Sequence, residues 1–179
     1  MPRLIFEVAA DWRRGFAGGR VISARKHIDY ALGFIALGLG TAAREELAFL
    51  SPAELQHADS LPARLEIAML EEYWDEVPLL AHQATELDAK QERPWIAWAY
   101  ALREQQHIAA ARDVLLRGER SIPAPSALVS YNLACYCCLL GDLPEAMRRL
   151  KAVFAKEPAW KAEAATDPDL AALRPDYNG

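Results

Sequence analysis

The chain repeats itself at intervals of 34 and 35 residues, and a repeat of that length constrains the fold more than anything else in the sequence. Three segments align on what read as second helices. They are Asp75-Glu76-Val77-Pro78-Leu79-Leu80-Ala81, Ala109-Ala110-Ala111-Arg112-Asp113-Val114-Leu115 and Pro144-Glu145-Ala146-Met147-Arg148-Arg149-Leu150. Val77 to Ala111 is 34 residues and Ala111 to Ala146 is 35. The first helices keep the same offsets: Leu65, Ala99 and Ala134 form one column, and Ala68, Leu102 and Cys137 another. The segments are rich in Ala, Leu, Glu and Arg, and apolar residues recur every three or four positions, so the elements are helices. Pro and Gly fall between the helical runs. The spacing predicts an all-α chain of helical hairpins.

Residues 127–160 carry Leu133-Ala134, Cys137, Gly141-Asp142, Ala146, Leu150 and Pro158. Residues 92–125 carry Trp95, Trp98-Ala99, Leu102, Ala111, Leu115 and Pro123. Both runs resemble the tetratricopeptide repeat, whose pattern places Trp, Leu-Gly and Tyr on helix A, then Ala, Phe and a closing Pro on helix B. Residues 58–91 match more weakly: Arg64 stands where Leu is usual, Val77 replaces the helix-B Ala, and Ala89 replaces the closing Pro. Residues 26–57 form a degenerate unit. Tyr30 to Gly38 resembles helix A, and Ala42 to Leu50 resembles helix B across a turn about two residues short. The resemblance implies a right-handed superhelix, a solenoid of about three to four hairpins with capping helices, because no hairpin buries its apolar face alone. Small residues at Ala99, Ala134, Ala111 and Ala146 allow close helix approach. Gly141-Asp142 makes a turn, while Pro78 and Pro144 fall where a helix's first turn tolerates them.

The ends differ from the middle. In residues 161–179 a C-terminal cap is expected, with Asp167 as N-cap and Pro168 opening a short helix over about 168–173. In residues 1–25, Ile5, Val8 or Ala9, Trp12 and Phe16 form one stripe, which predicts a helix over 3–16 and then a Gly-rich loop. That segment either caps the first repeat or extends beyond it.

With 179 residues, 53% of them hydrophobic, the chain is long and apolar enough for one folded domain. The net charge of −5 argues against a dedicated nucleic-acid binder. Charge is uneven: residues 1–26 hold six cations against Glu7 and Asp11, a net of +4, which leaves −9 for the rest. No run of 18 apolar residues predicts a membrane span, and Glu7 breaks the apolar start of any secretory signal. Three clustered cysteines do not make a disulfide framework, so a reducing cytoplasm is the expected location.

Those cysteines, Cys135, Cys137 and Cys138, lie on one helix. Successive residues turn by about 100°, so Cys135 and Cys138 share a face and Cys137 points elsewhere. The spacing lacks the chelating turn of a zinc site, and His27, His57, His82 and His107 are distant in sequence. Plain packing is the favoured role for the thiols. In the repeat family, Cys137 would face helix B, while Cys135 and Cys138 would face the concave groove and contact a ligand.

The groove columns that the resemblance implies contain Tyr30 and Phe34, then Glu66 and Met69, then Arg93, Ile96, Tyr100 and Arg103, then Tyr131, Asn132, Cys135 and Cys138. Such a surface is richer in apolar, aromatic and Arg side chains than a solvated face requires. Either it binds a partner, or these residues pack beneath the N-terminal helix and neighbouring repeats. Asn132 matches the position at which some family members hold a peptide backbone. The carboxylate-clamp slots hold Pro62, Glu66, Ile96 and Tyr100, which does not support that specialised function.

Other motifs read as structure. Glu71 to Glu76 lacks the Gly and alternating oxygens of a calcium loop and reads as a solvated turn over Trp74. Trp95 and Trp98 share a face and read as core. Gly15 to Gly19 is no phosphate loop, and no nucleophile elbow or H-E-x-x-H is present. The sequence therefore points to a non-enzymatic module that needs no cofactor or metal and binds a peptide or partner protein, with neither nucleic acid nor membrane as its target. The alternative is a homo-oligomeric subunit docked through the basic N-terminal helix. An RNA-reading repeat fits the acidic balance poorly, and a thiol enzyme would need a reactive Cys135 or Cys138.

Overall fold

The structure, a computed structural model, describes residues 22–173. Among these, every regular element is helical. The order is α1 (Ala24–Ala36), α2 (Gly40–Leu47), α3 (Pro52–Gln56), a 3-10 turn (Ala58–Ser60), α4 (Leu61–Leu70), α5 (Val77–Leu87), α6 (Glu92–Glu104), α7 (Ile108–Ser121), α8 (Ala127–Leu139), α9 (Leu143–Lys156), α10 (Trp160–Thr166) and a final 3-10 helix (Pro168–Leu173). The pairs α1–α2, α4–α5, α6–α7 and α8–α9 are hairpins, and helices pack chiefly on their neighbours in the chain. The helix expected over 3–16 and its Gly-rich loop lie outside the described residues.

Each hairpin closes in the same way. Gly38, Glu72, Gln106 and Gly141 have positive φ, from 59° to 82°. The next residue then donates its N–H to a carbonyl five positions back: Leu39 to Phe34, Tyr73 to Ala68, His107 to Leu102 and Asp142 to Cys137, at 2.8–2.9 Å. This bond ends a helix by satisfying a carbonyl that has no partner within it. The four turns are spaced 34, 34 and 35 residues apart, so the first unit keeps full register. The shortened turn expected there is absent: Leu37–Leu39 links α1 to α2, as three residues also do in the third and fourth hairpins. The degeneracy lies in α2 instead, which stops after eight residues. The chain then spends Ser51 and Glu54 on a reciprocal capping box that starts the short α3.

Apolar burial follows the columns. Ala43, Val77, Ala111 and Ala146 are fully buried, as are Ala31, Ala99 and Ala134, with Leu65 nearly so. The core forms three clusters that succeed one another along the chain, the last and largest spanning α6 to the final 3-10 helix. Trp95 and Trp98 stack with centroids 6.0 Å apart, and the Arg117 guanidinium lies 5.7 Å and 5.2 Å from their rings. Trp95 can lie against α7 only because position 118 is glycine: a Cβ there would come within 2.7 Å of Trp95 Cγ.

Polar links join successive hairpins. Arg93 forks Glu66 at 2.7 Å and 2.6 Å, tying α6 to α4. Glu92 accepts from the Ser126 N–H and hydroxyl at the start of α8. The buried Arg149 joins α9 to α7 through Glu119 at 2.8 Å and 3.2 Å, and also bonds Glu145.

Two stability predictions follow from these packings. Left-handed backbone costs a non-glycine residue about 1–2 kcal/mol, partly offset by the unfolded-state entropy of glycine. Gln106→Gly should therefore raise the unfolding free energy by up to about 1 kcal/mol, whereas Gly141→Ala should lower it by about 1–2 kcal/mol. Gly118→Ala should cost about 1–3 kcal/mol through overpacking against Trp95, despite the better helix propensity of alanine. Urea unfolding followed by circular dichroism checks both; a stabilised Gly118→Ala would mean that Trp95 moves freely.

Candidate functional site

The first helices of the last two hairpins, α6 and α8, converge with α10 on a cleft of about 760 Å³. Tyr100 and Arg103 come from α6, and Tyr131, Asn132, Cys135 and Tyr136 from α8. Five of the side chains selected by repeat register thus meet in one place. The remaining candidates lie elsewhere. Glu66 and Arg93 pair with each other beside a smaller cavity of about 260 Å³ between α4 and α6. Tyr30 is exposed and Phe34 half-buried on α1, and Met69 is half-buried on α4. Ile96 is buried in the core rather than presented to a ligand.

The far wall of the cleft was not legible as a site. Trp160 and Glu163 come from α10, Asp167 from the link, and Pro168 and Asp169 from the start of the final 3-10 helix. One signal could have found α10: it starts about one repeat length after α8, where another helix A is due. The 3-10 helix itself falls where the sequence predicts it, and Asp167 Oδ1 caps it by accepting the Asp169 N–H at 2.9 Å.

A polar network fastens this wall to α6 and α8. Arg103 forks both oxygens of Asp169 through Nε and Nη2, and its Nη1 donates to Glu104 at 2.7 Å. Asp169 raises the Arg103 pKa further, so the guanidinium is permanently charged. The Tyr131 hydroxyl donates to Asp167 Oδ2 at 2.8 Å, and its ring lies 4.6 Å from that of Trp160. Tyr100 is partly exposed beside Trp74, their rings 5.7 Å apart. Burial, then the Glu104 carboxylate, pushes its phenol above the usual range.

The thiols pack in the core, the role favoured from their helix. The groove exposure that the repeat resemblance implied for Cys135 and Cys138 is overturned: only 4% and 5% of their surface is exposed. The final 3-10 helix lies across α8, and Ala172 and Leu173 offer backbone N–H groups to Cys138. Cys135 stays on the cleft wall, with its thiol directed to Asp167 Oδ2 at 3.6 Å. Tyr131, also expected in the open groove, is buried by the same segment and by Trp160. Burial is the main force raising all three thiol pKa values; at Cys135 the Asp167 and Asp169 carboxylates add to it. Reactive cysteines need the opposite, an electropositive setting that favours thiolate. No group of three His, Cys, Asp or Glu side chains suited to a metal ion occurs among the described residues, nor is any helix there long and apolar enough to cross a membrane.

No protein-family model matches the chain, and no curated protein matches it. The functional reading therefore rests on the chain's own geometry.

The thiols supply a test of the seal. Below the unfolded thiol pKa of about 8.5 the burial of neutral thiols leaves stability unaffected by pH. Above it the unfolded chain releases protons that the folded chain retains, so their contribution falls as pH rises toward the folded values. At pH 8, iodoacetamide should label all three cysteines slowly in the native protein and rapidly in urea. Asp169→Asn, which weakens a charge-assisted pair by about 1–2 kcal/mol, should speed labelling of Cys135 and Cys138 about tenfold and leave Cys137 slow. Equal acceleration at all three, read by peptide mass spectrometry, would mean global unfolding instead of local opening.

Proposed function

We propose that this chain is a tetratricopeptide-type solenoid that acts as a non-enzymatic binding module, holding a peptide or partner protein along its concave groove in the cytoplasm. The observation that carries this reading is the cleft between α6, α8 and α10, in which Tyr100, Arg103, Tyr131, Asn132 and Cys135 meet. Repeat register alone selects those five positions. The four recurring turns, each with a left-handed residue and the same closing bond at repeat spacing, support the solenoid part of the reading.

The mechanism is preorganisation. Helices packed over shared cores hold the lining side chains before any ligand arrives, so most of the ordering cost falls on the ligand. Asn132 suits backbone recognition: it is half-buried on the wall, and its amide makes no hydrogen bond among the described residues. An amide offers a donor and an acceptor to one extended peptide unit. Tyr100 supplies partly exposed aromatic area, of the kind enriched in binding surfaces.

The experiment is affinity capture from extract of the source cells, comparing wild type with Tyr100→Ala/Asn132→Ala. Neither side chain makes a core contact comparable with that of the buried Tyr131, so the double variant should keep the wild-type circular dichroism spectrum. A partner retained by wild type and lost at least tenfold by the variant is the expected result. A partner retained equally by both would place recognition outside the groove.

A further inference from the structure

The proposed groove has a definite electrostatic sign at its C-terminal end. Among the described residues lining the cleft, Arg103 is the one cation, and its guanidinium is already committed to Asp169 and Glu104. Three carboxylates, Glu163, Asp167 and Asp169, line the same space, and Glu104 adjoins it. Glu163 is solvent-exposed on α10, and its carboxylate has no hydrogen-bond partner among the described residues. The walls between these charges are aromatic: Tyr100 on one side, Tyr131 and Trp160 on the other.

The same carboxylates act on the groups beside them, against the Arg103 charge. Glu104 and Glu72 both add to the rise at Tyr100 that burial begins, while Arg103 opposes it. Asp167 and Asp169 add to that at Cys135, and Asp169 contributes at Tyr136. Aromatic faces and carboxylates attract the same kind of ligand, since both favour positive charge. An anionic peptide end would face these carboxylates, and the Arg103 guanidinium is already engaged by Asp169 and Glu104.

We infer that the cleft between α6, α8 and α10 receives a cationic side chain, lysine or arginine, from a basic stretch of a partner peptide. The cation lies against Trp160 and Tyr100 with Glu163 as its counter-ion, while Asn132 holds the adjoining peptide backbone. This assignment rests on the binding-groove reading above and adds the charge class of the ligand.

The test is an array of random-sequence, N-acetylated, C-amidated 12-residue peptides sorted by net charge, probed with the full chain. Binders are followed by fluorescence anisotropy at two salt concentrations. The expected binders are enriched in Lys and Arg, weaken as salt rises, and lose affinity at least tenfold with Glu163→Lys. Glu45→Lys, the same charge reversal on the exposed face of distant α2, should change affinity less than twofold. Because Glu163 is exposed and its carboxylate has no partner among the described residues, its reversal should leave the fold intact, and circular dichroism checks this. Binders enriched in acidic or neutral residues, and lost with Tyr100→Ala/Asn132→Ala, would overturn the cationic assignment and leave the groove reading standing. Basic binders weakened equally by Glu163→Lys and Glu45→Lys would show diffuse charge attraction and overturn it as well. An array with no binders would defeat both readings together.

Discussion

The architecture depends on how closely the two helices of each hairpin can approach. Ala43, Val77, Ala111 and Ala146 are sealed from solvent at matching places on the second helices, opposite Ala31, Leu65, Ala99 and Ala134 on the first. Small side chains at such crossings bring helix axes toward the short end of the usual 8–10 Å range. A close pair leaves little span for the connection, so three hairpins use three-residue turns with one left-handed residue. The second has Val77 where the others have Ala, and its connection is longer, Glu71 to Glu76. That acidic stretch is a turn over the half-buried Trp74, as its composition implied. Gly118 extends the same principle outside the repeat columns, since it lets a whole indole rest against α7.

Burial alone would let hairpins slide along one another, because apolar contact is non-directional. The polar links resist this. Arg149 is the clearest case: burial disfavours its charge, and Glu119 and Glu145 more than compensate, leaving its pKa raised. A buried ion pair adds little net stability over an apolar replacement, but losing one partner is costly. Its use here is to set the position of α9 against α7. Glu66 with Arg93, and Glu92 with Ser126, do the same along the first helices.

Much of this was legible because the signals are local or periodic. The hairpins from residue 58 onward follow from apolar spacing, first-turn prolines and Gly141, and the final 3-10 helix from Asp167-Pro168. Glu72 and Gln106 concealed two of the four equivalent turns, since side chains other than Gly or Asn seldom announce left-handed backbone. The first unit looks shorter than it is because Gly38 reads as part of helix A, whereas it is the left-handed residue of the turn. The site was half legible. Register assembled Tyr100, Arg103, Tyr131, Asn132 and Cys135, whereas Arg103 and Asp169 are 66 residues apart and no periodicity joins them. The burial of Cys138 was missed for the same reason. Its column identifies the face it occupies, but only the returning chain determines whether that face is open.

The cleft is a product of how the stack ends. α10 begins where another first helix is due and stops after seven residues, because Pro168 removes the next N–H and Asp167 caps a new start. A full-length helix there would lie along α8 and cover the positions facing it. Instead the chain turns back as a 3-10 helix, seats Leu170 and Leu173 in the core, and covers Cys138. Trp160 packs against Tyr131, and Asn132 and Tyr100 line the cleft beside it. The same two residues, Asp167 and Pro168, therefore end α10, start the 3-10 helix that covers Cys138, and among the described residues leave the cleft beside α6 and α8.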